Sequence, residues 1–420
     1  MIKIYENTTL KEIFSRKIES DIKVENVVKE IIQNVIENKD KALREYSLKF
    51  DKVDLENFKV TEEEFIEAEN TVSKEYKDIL VEAYENIKKF HEKQLRQGFI
   101  IQDNGKKIGQ KVVPLKRVGI YVPGGTASYP STVLMNAIPA KIAGVKEIVM
   151  VSPPKADGKI RAEVLMAARI AGVTEIYKVG GAQAIGALAY GTETIKKVDK
   201  ITGPGNVFVA TAKKQVFGKV DIDMIAGPSE IMIIADQSAN AKYVAADLLS
   251  QAEHDKMATA VLITTSKDLA LEVQKEVELQ LNELPRKEIA KVSIEENGKI
   301  IIANSIDECV EISNELAPEH LELCLTNAEE VFENIVNAGS VFIGNFTPEA
   351  LGDYFAGTNH TLPTSGTAKY ASALGVEDFV KTVQFISYTK EELNKVALKV
   401  ETFAESEGLT AHANSVRVRK

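Results

Sequence analysis

The run VGIYV at 118–122, closed by Pro123-Gly124-Gly125 and followed through a helical stretch by EIVMVS at 147–152, sets the pattern of the chain's centre. Short apolar runs bounded by turn residues and alternating with helical stretches are the mark of βαβ units. The same texture returns as EIYKVG at 175–180, EIMIIAD at 230–236, AVLITT at 260–265, KIIIAN at 299–304 and SVFIG at 340–344. Mainly parallel sheets covered by helices are therefore predicted.

Upstream of this region the texture is helical. Val24, Val27, Val28, Ile31, Ile32, Val35 and Ile36 fall at helical spacing within 24–49, and 61–95 is a charged amphipathic stretch opened by Thr61 with Glu64 as a capping box. Helical patterning comes back over 389–407, after the loop-rich stretch 345–375. Pro123-Gly124-Gly125, Gly180-Gly181, Gly203-Pro204-Gly205 and Gly227-Pro228 fall where strands should end and helices begin. In open α/β sheets the ligand crevice lies outside the carboxyl ends of the strands, so these turns are either backbone cradles for a phosphate or nucleotide or plain connectors. None completes G-x-G-x-x-G, because Phe208 stands where the last glycine after Gly203-Pro204-Gly205 should be.

The chain has 420 residues, 44% of them hydrophobic, enough for two or three domains with sizeable cores. Its 62 acidic residues exceed its 52 basic ones and leave a net charge of −10, which excludes a global basic footprint for nucleic acid or anionic membrane. Cys309 and Cys324 belong to no CxxC pair and read as buried, inert thiols. No signal-peptide core or membrane-length apolar run appears, the pattern of a soluble cytoplasmic protein.

The histidines carry most of the chemical information, and there are five: His91, His254, His320, His360 and His412. His91 stands among Lys88, Lys89, Glu92 and Lys93 and reads as part of a solvated helix face. His254 follows Gln251 by three residues in LLSQAEHD, so both should project from one face, as a polar helix end or as half of a zinc site. Asp353 and His360 bracket the loop GDYFAGTNH, as binding residues or as a capping Asp and a surface His. His412 has apolar neighbours in LTAHANSV, which speaks against a disordered tail. Glu319 and His320, adjacent after Pro318, form a titratable pair suited to proton transfer near neutrality. Neighbours on a strand face opposite ways, so a shared site predicts a turn or helix start at that point. Ser229 and Glu230 lack the second glycine of a nucleophile elbow, since Ile231 occupies its place.

Taken in order, YVPGG, VGGAQAI, TGPGN, AGPSE, LLSQAEHD, APEHLE, GDYFAGTNHTLPT and LTAHANSV closely resemble the motifs of the histidinol dehydrogenases, over roughly residues 10–420. The resemblance implies a zinc-dependent, NAD-linked oxidoreductase that takes L-histidinol through L-histidinaldehyde to L-histidine, the final steps of histidine biosynthesis. It further implies one Zn2+ per subunit held by Gln251, His254, Asp353 and His412, with Glu319 and His320 as the acid/base residues. Ser229, His360 and Glu407 would join His320 and the metal ligands around the substrate, while Tyr121, Gln183 and Asn206 would line the NAD site. The implied fold is α/β: two incomplete Rossmann-like domains with mainly parallel sheets, a helical N-terminal segment and a small C-terminal helical segment. The expected divisions are 1–110, 111–235, 236–375 and 376–420, the last reaching the partner's site in an intertwined homodimer. The competing readings are a related dehydrogenase for another small alcohol, a zinc hydrolase that turns over without NAD, and a metal-binding scaffold without redox activity.

Overall fold

The computed structural model describes residues 1–6, 22–124 and 128–420, so Gly125 of the first turn lies outside the described residues. Two parallel sheets organise the chain. The five-stranded sheet has the spatial order Glu175–Tyr177, Glu147–Val151, Arg117–Tyr121, Lys200–Thr202, Asp221–Ile222. Its two longest strands, Glu147–Val151 and Arg117–Tyr121, are apolar after their first residue because helices cover both faces. Val118 and Ile120 pack toward the helices Pro130–Ala143 and Ala162–Ala171, while Tyr121, Val149 and Val151 pack toward Ile22–Tyr46 and Gly181–Tyr190.

The six-stranded sheet runs Lys3–Glu6, Lys299–Ile302, Thr259–Thr264, Glu230–Ala235, His320–Cys324, Ser340–Ile343, with every neighbouring pair parallel. The α/β expectation thus holds for both sheets, with three differences of detail. The strand Glu230–Ala235, expected to close the first α/β unit, lies inside the six-stranded sheet between Thr259–Thr264 and His320–Cys324. The first 110 residues are not helical throughout. Lys3–Glu6 pairs with Lys299–Ile302, and Phe99–Asp103 with Lys106–Pro114 forms a hairpin whose turn places Asn104 and Gly105 at positive φ. Val380–Tyr388 then adds to that hairpin as an antiparallel third strand.

The remaining segments follow local chemistry. The capping box at Thr61 and Glu64 is present and opens the helix Glu62–Thr71, while Ser73 caps a separate helix Lys74–His91 by accepting from the amide of Tyr76. Helices Lys390–Ser406 and Thr410–Arg417 pack on each other around Glu401, which pairs with Arg417 at 3.5 Å and Lys420 at 2.5 Å. Both cysteines are buried thiols, and among the described residues no helix is long and apolar enough to cross a membrane.

Candidate active site

Three neighbouring strands of the six-stranded sheet begin side by side with Glu230, His320 and Ser340. The polar cluster built there sits at the amino ends of the strands, opposite to the carboxyl-end crevice expected for such sheets. Gly227-Pro228 accordingly leads into a strand rather than out of one. His320 is not at a helix start either: the helix Ile306–Leu316 ends at Ala317 in a left-handed conformation, and His320 opens a buried strand. Glu319 lies just ahead of that strand, free of its alternation, which lets two adjacent side chains share one site. Gly339 permits the close approach, since a Cβ there would lie 2.5 Å from the carbonyl oxygen of Glu319.

Glu319 Oε2 accepts from the backbone amide of Glu230 at 2.8 Å and lies 3.7 Å from His320 Nδ1. That imidazole nitrogen is also 3.0 Å from the carbonyl of Glu230 and 2.9 Å from the side-chain amide of Gln251. An N–H there donates to the carbonyl and a bare nitrogen accepts from the amide, so Nδ1 has a partner in either protonation state. On the other side, buried Nε2 has no hydrogen-bond partner and faces Asp353 Oδ1 at 3.7 Å and Glu349 Oε1 at 4.0 Å.

Asp353 and Glu349 are four apart on the helix Glu349–Tyr354, hence on one face. Glu322, two residues beyond His320 on its strand, accepts from the amide of Glu349 at 2.7 Å and so caps this short helix. Ser250, on the helix Ala241–Ala252 that also carries Gln251, donates to Glu349 at 3.2 Å. His360 donates from Nδ1 to the carbonyl of Asp353 at 3.1 Å, and its Nε2 lies 3.4 Å from Thr132 Oγ1. The loop before it is anchored by buried Asn359, whose amide donates to the carbonyl of Met135 at 2.7 Å and to His91 Nε2 at 3.2 Å. His91 is consequently fully buried, not on a solvated face as its charged neighbours suggest.

The electrostatics follow from placing these groups away from water. Burial pushes the Glu319 carboxyl up to about 8, although His320 pulls in the other direction. Burial also opposes the His320 imidazolium, but Glu319, Glu349 and Asp353 outweigh it and hold its pKa near 10. Burial raises Glu349, whereas Asp353, despite burial, is held low by His320, His360 and His254.

Of the expected metal ligands, Gln251 and Asp353 converge on His320. His254 lies beyond the end of its helix, exposed while Gln251 is buried, so the two do not share one face. His412 and Glu407 are exposed on the C-terminal helical pair, and the structure gives neither a bond to this cluster. Ser229 borders the site, its carbonyl accepting from the amide of Thr259 at 2.9 Å. The atoms of His320, Glu349 and Asp353 lie within 4.8 Å of one another, a spacing that suits a cation. The carboxylates of Asp353 and Glu349, with the nearby Gln251 amide, are donors that fit a borderline divalent ion such as zinc, and the orphaned His320 Nε2 lies beside them.

The residues expected to bind NAD gather at the carboxyl edge of the five-stranded sheet, where its strand order reverses between Arg117–Tyr121 and Lys200–Thr202. The hydroxyl of buried Tyr121 accepts from the amide of Gly181 at 3.0 Å, and burial pushes this phenol up to about 12. Gln183 is buried in the first turn of Gly181–Tyr190, and exposed Asn206 caps Val207–Val216 through the amides of Phe208 and Val209.

The sequence profile of the histidinol dehydrogenases matches residues 14–420. The chain belongs to the histidinol dehydrogenase family. It is 56% identical over 397 residues to the histidinol dehydrogenase of Bacillus thuringiensis subsp. konkukian, covering 94% of this chain and 92% of the relative. Against the enzyme of Clostridium acetobutylicum it is 55% identical over 393 residues, with 93% and 91% covered. The crystal structure of histidinol dehydrogenase from Elizabethkingia anophelis superposes with a TM-score of 0.94 at 42% identity, covering 100% of this chain and 98% of that one. As a histidinol dehydrogenase the chain is an oxidoreductase. Glu349, Glu322, Thr132 and Asn359 also belong to this site, although no motif in the sequence singles them out as functional. Glu349 had one available signal, its position four residues before Asp353.

Proposed function

We propose that the protein oxidises L-histidinol through L-histidinaldehyde to L-histidine with two molecules of NAD and one zinc ion per subunit. The observation that carries this reading is His320, buried with Glu319 on one nitrogen and an unpartnered second nitrogen facing Asp353 and Glu349. His320 takes the hydroxyl proton of the alcohol as hydride leaves for NAD. Glu319, 3.7 Å from the same imidazole, takes the proton of the water that adds to the aldehyde in its ionised form, which gains population as pH rises toward 8. The resulting hydrate gives up the second hydride. Gln251, His254 and Asp353, with His412, would hold the zinc, which when bound supplies a Lewis-acid anchor for substrate nitrogens. With Asp353 committed to a cation, His320 loses part of the charge that holds its proton, which favours its role as base.

Tyr121, Gln183 and Asn206 would receive NAD. The helix Pro130–Ala143 links that edge to the catalytic cluster, since its first turn carries Thr132, in reach of His360. A homodimer in which residues 376–420 complete the partner's site accounts for His412 and Glu407 standing apart from the other ligands in their own chain. Large exposed side chains on the same part of the molecule, Ile386 at 77%, Leu398 at 70% and Phe403 at 69%, favour such a contact.

The test is NADH formed per L-histidinol consumed by zinc-loaded protein with substrate limiting. Two NADH with L-histidine as product support the reading. A Glu319→Gln variant should stop at the aldehyde with one NADH. No NADH from the parent protein would overturn the proposal, and a Glu319→Gln variant that forms two NADH at the parent rate would remove Glu319 from the second step.

A further inference from the structure

The turn Gly203-Pro204-Gly205 is gripped from behind by a buried ion pair with no part in the chemistry described above. Lys213 and Asp223 pair with each other, and their side chains are only 2% and 1% exposed. Lys213 Nζ donates to the carbonyl of Gly203 at 2.9 Å, and Asp223 Oδ2 accepts from the amide of the same residue at 2.8 Å. Asp223 also accepts from the amide of Met224 at 2.6 Å, which fixes the carboxylate. Both backbone polar groups of Gly203 are thus held by one pair of charges. The position tolerates no side chain: φ is +111°, and a Cβ would lie 2.1 Å from the carbonyl oxygen of Tyr121. Three residues on, Asn206 caps the following helix, so the turn is fixed at both ends.

A buried ion pair is a poor way to stabilise a core, because the cost of removing both charges from water offsets their attraction. Apolar side chains would fill this space as well, but they could not orient a peptide. We infer that Lys213 and Asp223 are positioning residues for the dinucleotide, setting the Gly203–Asn206 turn at the reversal point of the sheet and thereby the affinity for NAD and NADH. This rests on the reading of Tyr121, Gln183 and Asn206 as the cofactor site. The pair touches neither cofactor nor substrate, and it acts through the backbone it holds.

The experiment is NADH binding to zinc-loaded protein, followed by the cofactor's own fluorescence, which no tryptophan obscures because the chain has none. The charge-neutral double variant Lys213→Met/Asp223→Asn should weaken NADH and raise the KM for NAD by about tenfold or more, as displaced binding groups do. The KM for L-histidinol at saturating NAD should stay within twofold of the parent. Asn206→Ala serves as the control on the cofactor site. If it weakens NADH while the folded double variant binds like the parent, the inference is overturned and the cofactor site stands. If neither variant changes NADH binding, the cofactor-site reading falls and takes the inference with it. A measurement on the unmodified chain does not depend on how the double variant folds: amide exchange at Gly203 should be slow without cofactor. Exchange there at the rate of an unprotected amide would overturn the inference.

Discussion

Replacing Glu322 separates a hydrogen-bonding role from a charge role at the heart of the site. Glu322 is 2% exposed and accepts from the amide of Glu349 at 2.7 Å, at the start of the helix that carries Asp353. Burial, and then the neighbouring Asp247, push its carboxyl up to about 9, so at neutral pH it is an uncharged acid that accepts from Glu349 and donates to Asp247. Glu322→Leu keeps the bulk and deletes both bonds. A buried N–H left without an acceptor costs roughly 1–3 kcal/mol. If that cost appears as displacement of Asp353, zinc affinity should fall about 10–100-fold, the range typical of groups that orient metal ligands. Glu322→Gln presents a carbonyl and an N–H where the neutral acid presents a carbonyl and an O–H, and it should hold zinc within a few-fold of the parent. Competition with a chromogenic chelator measures both affinities, and circular dichroism checks that each variant is folded. A folded Glu322→Leu protein with the parent's zinc affinity and turnover would refute the capping argument.

The same pair predicts a pH dependence. With its folded pKa raised from the ordinary 4.5, Glu322 binds its proton more tightly in the folded than in the unfolded chain, so its contribution to stability declines as pH rises from about 4.5 to about 9. Glu322→Gln has no such proton to lose, and its stability relative to the parent, measured by urea unfolding, should increase across that window. Glu175 predicts the opposite sign elsewhere: hydrogen-bonded by Arg117, its carboxyl is held down at about 2, so its contribution is present above 4.5 and is lost as pH falls toward 2. An Arg117→Met variant should lose that part of the acid-unfolding slope. Asn359→Ala removes the partners of Met135, His91 and Thr361 in a buried site, an expected cost of about 2–4 kcal/mol for several unsatisfied groups, with a raised KM for L-histidinol because His360 follows directly. Removing metal with a chelator should abolish NADH formation and leave the helical circular-dichroism signal unchanged, and added zinc should restore turnover.

The strands of the two parallel sheets were legible where both faces are buried, because burial on both sides writes an unbroken apolar run such as VGIYV or AVLITT. The strand His320–Cys324 was not, since Pro318 and Glu319 precede it, it opens with His320 and it carries Glu322 inward, against the rule that buried strands are apolar. Val380–Tyr388 lies at a sheet edge with most of its residues exposed and has no burial rhythm to read. The hairpin at Asn104-Gly105 did carry a local signal, the favoured dipeptide for a tight turn between strands. His91 shows the hazard of judging a residue by its immediate neighbours. Leu80, Ala83, Ile87 and His91 recur at three and four residues and form the buried stripe of their helix. Gln251, Asp353, Glu319 and His320 were recognisable as chemistry-bearing types, but only the fold brings them together, from three separate segments.

The anchoring of Asn359 bears on how the enzyme is made. Its bonds to His91 and Met135 span 268 and 224 residues of sequence, so the loop that carries His360 cannot be placed until the helices Lys74–His91 and Pro130–Ala143 have already packed. Contacts of such long range form late, because the closure of a large loop precedes any reward from the contact. A refolding chain should therefore regain its helices and sheets first and its catalytic competence last. During synthesis, His91 can reach the carbonyl of Ile87 at once but meets Asn359 only after most of the chain has emerged, and unfinished chains with such surfaces uncovered are prone to aggregate.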